Sequence, residues 1–256
     1  MKVSIVTVGY NCALTLERTM NSVLQQTYQH IEYIVVDGGS TDDTINIIQR
    51  YKPQFKGRLH WVSEKDNGIY NAMNKGIKMA TGNIVGILNS DDFLTTNHVI
   101  ERMVAEFEKD DTLDLIYGDV HFVNPGNLEK NVRNYTGRFF KSWMIRFGYF
   151  PPHPSIYVKR ETYFKHGFYN EDMKISADFE LFANLVHCHH VSTRYLRMDF
   201  VTMLTGGEST KSWKHRKLGT QEDMIACRKL GIKTNWLFIH IKYIFKILDA
   251  VIPKRY

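Results

Sequence analysis

The sequence predicts an α/β fold built on a doubly wound, mostly parallel, Rossmann-like sheet. Three observations carry that expectation. Four short apolar runs, Val3 to Val8, Ile31 to Val36, Leu59 to Val62 and Ile84 to Leu88, read as strands, the last of them covered on both faces. The first three are followed by segments with apolar residues at helical spacing, as in Leu16, Met20, Val23 and Leu24. Each run also leads into a polar or acidic residue, Asn11, Asp37, Asp66 or Asp91. A parallel sheet gathers such strand ends along one edge, where open α/β sheets bind their ligands.

Totals narrow the class. With 256 residues, 43% hydrophobic and 23% charged, the chain can bury a sizeable core in one or two domains. Cys12, Cys188 and Cys227 are odd in number and lack metal-ligand spacing, which favours a reducing, cytoplasmic setting. Met1 to Val8 is interrupted by Ser4 and Thr7 and reads as a first strand, not a leader peptide. The net charge of +6 is uneven: Lys211 to Tyr256 holds 11 Lys and Arg against three acids, so residues 1–210 carry −2. Such a tail suits an anionic membrane surface or a phosphate-bearing substrate. Without a helix-turn-helix, zinc-finger or RNA-recognition signature, no nucleic-acid partner is expected.

In chain order, helices are predicted over Ala13 to Gln26, from Ile45 to Tyr51, and over Asn67 to Ala80, which Gly82 ends. Val99 to Phe107 is a further helix, and Leu113 to Tyr117 a strand closed by Gly118-Asp119. The polar stretch from Asn124 to Asn134, with Pro125-Gly126, reads as a loop. Arg138 to Phe150 gathers aromatic and basic residues that fit a core, an acceptor platform or a membrane-facing surface. Ile156 to Val158 is a strand, Glu161 opens a helix, and Phe179, Phe182, Leu185 and Val186 share one helical face. Tyr195 to Leu204 is a late strand before the turn Thr205 to Ser209. Leu237, Ile241, Ile244, Leu248 and Val251 form an amphipathic stripe, with Lys242 and Lys246 on another face. That helix is too short and too interrupted to span a bilayer; it lies on a membrane or packs on its own domain.

The chemistry centres on Leu88-Asn-Ser-Asp-Asp92. Adjacent carboxylates are costly to bury unpaired, so a hard divalent cation, Mn²⁺ or Mg²⁺, is a natural partner, although an Asp there can also cap a helix. Asp178, at a helix start, has a similarly plain alternative as a complement to the helix dipole.

Taken in order, Val3-Ser-Ile-Val-Thr-Val-Gly-Tyr-Asn11, Val36-Asp-Gly-Gly-Ser-Thr-Asp-Asp-Thr44, Gly68-Ile-Tyr-Asn-Ala-Met-Asn-Lys-Gly76 and Leu88-Asn-Ser-Asp-Asp92 resemble the family 2 glycosyltransferases. The resemblance is dense over residues 3–93 and thinner to about residue 210. It implies a GT-A fold and an inverting enzyme of bacterial polysaccharide type, with a nucleotide-binding half at 1–93, an acceptor-binding half at 94–210 and a basic extension at 211–256. Carried over by position, it puts Thr7, Tyr10 and Asn11 against the base and Asp37 on the uracil or thymine N3–H. Glu64 or Asp66 would line the nucleotide pocket. Asn89, standing where the family's DXD motif has its first Asp, and Ser90 would contact ribose or sugar hydroxyls. Asp91 and Asp92 would hold the metal, and Asp178 would be the catalytic base. His153 would neighbour the acceptor, and Lys211, Lys214 and Arg216 would be phosphate partners.

The implied partners are a nucleotide-diphosphate sugar, most simply a UDP-sugar, and a glycan or lipid-linked acceptor at the cytoplasmic face of the inner membrane. Two other readings compete. A sugar-nucleotide nucleotidyltransferase would want a glycine-rich basic loop after the first strand, where Gly9-Tyr-Asn-Cys-Ala13 stands instead. A non-catalytic carbohydrate- or nucleotide-binding module is favoured by Asn89, which removes one charge from the motif.

Overall fold

The structure is a computed structural model that describes residues 1–206 and 213–251. Strands β1 (Val3–Gly9), β2 (Ile31–Asp37), β3 (Leu59–Ser63) and β4 (Ile84–Ile87) lie parallel in the order β3-β2-β1-β4. They are separated by helices α1 (Ala13–Leu24), α2 (Thr44–Tyr51) and α3 (Ile69–Met79). Further strands are β5 (Phe93–Leu94), β6 (Leu115–Asn124), β7 (Asn127–Tyr135), β8 (Tyr157–Lys159) and β9 (Thr193–Leu204). They extend the sheet to β3-β2-β1-β4-β8-β6-β9-β5, with β7 on β6. β1 pairs with β2 on one side and β4 on the other, so the chain changes winding direction between them. The ends of β1 and β4 therefore flank the switch point of the sheet.

Almost every residue of β1, β2 and β4 is buried, which explains their continuous apolar runs. Ser4 interrupts β1 for a reason. Its hydroxyl donates to Glu32 at 2.6 Å, and Lys2 and Thr81 complete the shell of that buried carboxylate. Burial alone would raise Glu32, but bonds from Lys2, Ser4 and Thr81 outweigh it and hold the carboxyl at about 2. Gly82 donates to the same Ser4 hydroxyl at 2.9 Å, and a Cβ there would lie 2.8 Å from the Ser4 nitrogen.

Two expectations are corrected. Gly118-Asp119 does not close β6, which runs on to Asn124. Gly118 is small because the Phe200 ring sits 2.1 Å from where its Cβ would be, and not because the chain turns. The polar stretch after Gly126 is a strand, β7, exposed along most of its length and paired to β6 by backbone. A polar edge strand lacks the apolar alternation by which strands are recognised, and its charges discourage edge-to-edge pairing.

The tail is arranged by its charges. After α4 (Val99–Glu108), α5 (Arg160–His166) and α6 (Ala177–Ala183) come α7 (Trp213–Lys229), α8 (Trp236–His240) and α9 (Lys242–Val251), broken at Ile241. The lysines of α9 turn inward. Lys242 is buried with its Nζ 2.5 Å from Asp223 Oδ2, and Lys246 lies 5.4 Å from the Tyr135 ring centre. Leu237 and Ile244, members of the apolar stripe, are 65% and 56% exposed. An uncompensated buried Asp223 would cost more than two exposed aliphatic side chains, and this sets the rotation of the helix. Ile239, Phe238 and Phe245 do pack, the latter two against Phe147.

Candidate active site

The loops after β1 and β2 are tied together. Asn11, in the left-handed region at φ 49°, donates its N–H to Ser40 Oγ at 2.7 Å, and its Oδ1 accepts from the Thr41 N–H at 2.9 Å. Asp37 is 1% exposed. Its Oδ2 accepts from the Gly39 and Ser40 N–H groups at 3.0 and 2.9 Å and from Ser63 Oγ at 2.6 Å, while Oδ1 accepts from the Ser40 hydroxyl. Most of this carboxylate therefore shapes the turn; only Oδ1 keeps acceptor capacity to spare.

Asp66 lines the same hollow. A Cβ on Gly38 would lie 2.7 Å from its Oδ2 and 3.4 Å from the Tyr10 Cβ, so glycine leaves the Asp66 carboxylate room in the hollow. Tyr10 is 62% exposed. Glu64 sits at the rim, paired with Lys75 at 2.8 Å. Thr7 lies elsewhere: it is fully buried in β1 and accepts from the Tyr33 hydroxyl at 3.0 Å, so it belongs to the core and not to the hollow.

Across the switch point, the turn after β4 is held by Thr19 of α1, whose hydroxyl donates to the Asp92 and Ser90 carbonyls at 2.7 and 3.0 Å. Ser90 abuts Gly9, where a Cβ would lie 3.0 Å from its Oγ. Asn89 Nδ2 donates to Asp92 Oδ2 at 3.1 Å, while the buried Asn89 Oδ1 has no partner. Burial raises the Asp91 carboxyl, and burial followed by the charge of Asp91 raises Asp92 well above the usual range. An orphaned amide oxygen beside two carboxylates that resist joint ionisation fits a hard divalent cation. No group of three His, Cys, Asp or Glu side chains able to hold a metal occurs among the described residues. Phosphate oxygens and water would complete such a shell.

Asp178 opens α6, half-buried, with Oδ1 accepting from the Phe179 N–H at 2.9 Å. Burial pushes its carboxyl up to about 6; the Phe179 bond opposes this, Asp223 adds to it and Lys246 opposes it again. Two braces deliver the residue. From α3, which starts beside Asp66, Asn74 donates to the Tyr169 carbonyl at 2.8 Å and Asn71 to Glu171 at 2.7 Å. From α7, the buried Glu222 accepts the Lys174, Ile175 and Ser176 N–H groups at 2.9, 2.8 and 2.9 Å. His153 joins this region through Tyr169, whose hydroxyl lies 2.6 Å from its Nε2; burial pushes the imidazole down to about 4, so it is neutral.

Sequence reasoning missed Tyr70, Glu222, Asp223 and Lys246 as supports of Asp178. The only signal was the pair Lys242 and Lys246, one helical turn apart inside an apolar stripe. Arg216 is exposed on α7 with its guanidinium 5.9 Å from the Trp213 ring centre, and Lys214 is exposed beside it. Lys211 and most of the Thr205 to Ser209 turn lie outside the described residues.

Known proteins share this fold. The structure of Staphylococcus aureus TarS 1–349 in complex with UDP-GlcNAc superposes with a TM-score of 0.69 at 15% identity, covering 95% of this chain and 72% of that one. The mannosyltransferase PcManGT from Pyrobaculum calidifontis, in complex with GDP-Man and Mn²⁺, gives 0.66 at 20% identity, covering 96% and 69%. At such identities the likeness is one of fold, and it is the GT-A fold that the motifs imply. In sequence, a PGL/p-HBAD biosynthesis glycosyltransferase of Mycobacterium bovis is 29% identical over 195 residues, covering 76% of this chain and 73% of the relative. The chondroitin synthase of Escherichia coli is 32% identical over 187 residues, 72% of this chain but 26% of the synthase. The family model for Glycosyl transferase family 2 matches residues 4–191, and the chain belongs to that family.

Proposed function

We propose that the protein is an inverting glycosyltransferase that moves a sugar from a nucleoside-diphosphate sugar, a UDP-sugar first among them, to a hydroxyl of a glycan or lipid-linked acceptor. The observation that most supports this reading is the convergence at the switch point of the Gly9 to Asn11 loop, the Asp37 turn and the turn from Asn89 to Asp92. UDP-GlcNAc and GDP-Man in the related structures, and a polysaccharide synthase among the sequence relatives, support it further. The polysaccharide or lipid-linked product would be assembled at the cytoplasmic face of a membrane.

In this reading Asp37 Oδ1 accepts the N3–H of the base, Tyr10 lies against the ring, and Asp66 and Glu64 border the nucleoside. Asn89, Asp91 and Asp92 would hold Mn²⁺ or Mg²⁺, which when bound neutralises charge on the departing diphosphate. Asp178 takes the proton of the acceptor hydroxyl. The freed oxygen bonds to the anomeric carbon while the bond from that carbon to the β-phosphate oxygen breaks, and its electron pair leaves with the nucleoside diphosphate. Attack from the opposite face inverts the anomeric centre. A carboxyl held at about 6 is well matched to a base working near neutral pH.

Thermal stabilisation across sugar nucleotides, with and without Mn²⁺, identifies the donor by mass action. NMR of the product then reads the anomeric configuration. A retained configuration overturns the inverting mechanism; no donor binding and no donor hydrolysis would mark a non-catalytic module.

A further inference from the structure

We propose that the outer face of α8 and α9, with Trp143 beside it, is a docking surface for an anionic lipid bilayer. The inward turn of Lys242 and Lys246 leaves the apolar side of this helical pair in solvent. Trp236, Leu237, Ile244 and Ile247 are 62%, 65%, 56% and 63% exposed, and Trp143 is 59% exposed. These are parts of one surface. Trp143 packs edge-on against Phe147 at 5.8 Å, and Phe147 meets Phe238 of α8 and Phe245 of α9 at 5.4 and 6.0 Å. A contiguous patch of large apolar side chains exposed on a domain surface marks an interaction site.

Charge selects the occupant. Lys141, Arg146 and Lys233 are exposed around the patch, and residues 136–150 and 229–248 contain no Asp or Glu. Two of the three acids of the tail are turned inward: Glu222 onto the loop before α6 and Asp223 onto Lys242. A second copy of the chain would oppose like charges across the same face, whereas anionic headgroups complement them. Tryptophan at the boundary of aliphatic and cationic side chains suits the headgroup level, and exposed Leu and Ile suit the acyl margin. No helix among the described residues is long and apolar enough to cross a membrane. This inference stands independently of the transfer reaction.

The full chain is sedimented with phosphatidylcholine vesicles, with and without phosphatidylglycerol, while tryptophan emission is followed. Binding is expected only to the anionic vesicles, with a blue shift and weakening by salt. The double substitution Ile244→Glu and Ile247→Glu is expected to lower affinity at least about tenfold with an unchanged melting temperature, because both side chains already face water. Should that variant not fold, Trp143→Ser, on a separate turn, is expected to weaken binding in the same direction. Absence of binding by the wild type, equal binding to neutral vesicles, or undiminished binding by the folded variants overturns the proposal. So does a lipid-free dimer, seen by light scattering, that the double variant dissolves; that face would then belong to a second copy.

Discussion

Tyr70 on α3 donates its hydroxyl to the Ile175 carbonyl at 2.6 Å, joining residues 105 positions apart. The helix that begins beside Asp66 is thereby fastened to the loop that delivers Asp178, so the nucleoside hollow and the candidate base share one support. Tyr70→Phe keeps the ring stacked on Tyr169, 5.7 Å away, and removes only this bond. Stability is expected to fall by about 1 kcal/mol. Turnover is expected to fall about tenfold through loss of positioning, with donor affinity unchanged. Calorimetry beside steady-state kinetics checks this; parallel losses of both quantities would place the clamp in donor binding instead.

Asp178→Asn preserves shape and removes the proton acceptor, so kcat is expected to drop about 10²- to 10⁴-fold. In the wild type, activity should climb as pH rises through about 6 and then level off. Stability moves the other way. A carboxyl raised by folding binds its proton more tightly in the native state, so its contribution is full below the ordinary carboxylate range and lost as pH rises through about 6. The Asn variant should therefore melt higher than wild type at about pH 8, and the gap should close towards about pH 4. Normal turnover in the variant would move the base elsewhere, with Glu180 and Asp172 next in line.

Asp91→Asn should abolish metal-dependent turnover while leaving the fold intact, since the residue lies in the turn after β4 and is only half-buried. Melting curves give a readout that does not need activity. Mn²⁺ should raise the wild-type melting temperature by mass action, and the variant should lose that shift. A variant stabilised as strongly as wild type would remove Asp91 from the cation shell.

Lys242→Ala leaves Asp223 buried and unpaired, and is expected to cost about 3 to 5 kcal/mol. Truncation before Trp236 should do at least as much damage. Soluble, fully active truncated protein would contradict the packing of α9.

Glu32→Gln should lower stability at neutral pH by about 2 kcal/mol. Because folding depresses this carboxyl to about 2, its contribution is present above the ordinary range near 4.5 and is lost as pH falls towards about 2. Denaturant titrations at descending pH should show wild type and variant converging.

The half of the fold that was legible in the sequence is the half whose signals are local. Asp37, Asp66 and the turn from Asn89 to Asp92 each follow a buried strand, and parallel winding brings such ends together whatever the intervening lengths. Thr7 opens the same motif but is still inside β1, where its hydroxyl meets Tyr33 in the core. The rotation of α9 could not be read, because apolar periodicity sends apolar residues inward unless buried acids wait opposite. Asp223 and Asp178 come from other elements, and nothing local announces that they face Lys242 and Lys246. β7 was hidden for a related reason: its order comes from backbone pairing with β6 and not from its side chains.

The clasp between Asn11 and the residues Ser40 and Thr41 has a kinetic consequence. Both loops are held in mutual register by their own side chains. A nucleotide arriving there need not wait for the walls of its cradle to assemble, and little ordering entropy is left to be lost on capture. Association should then be governed by encounter, and differences among donors should be written in how fast each one departs.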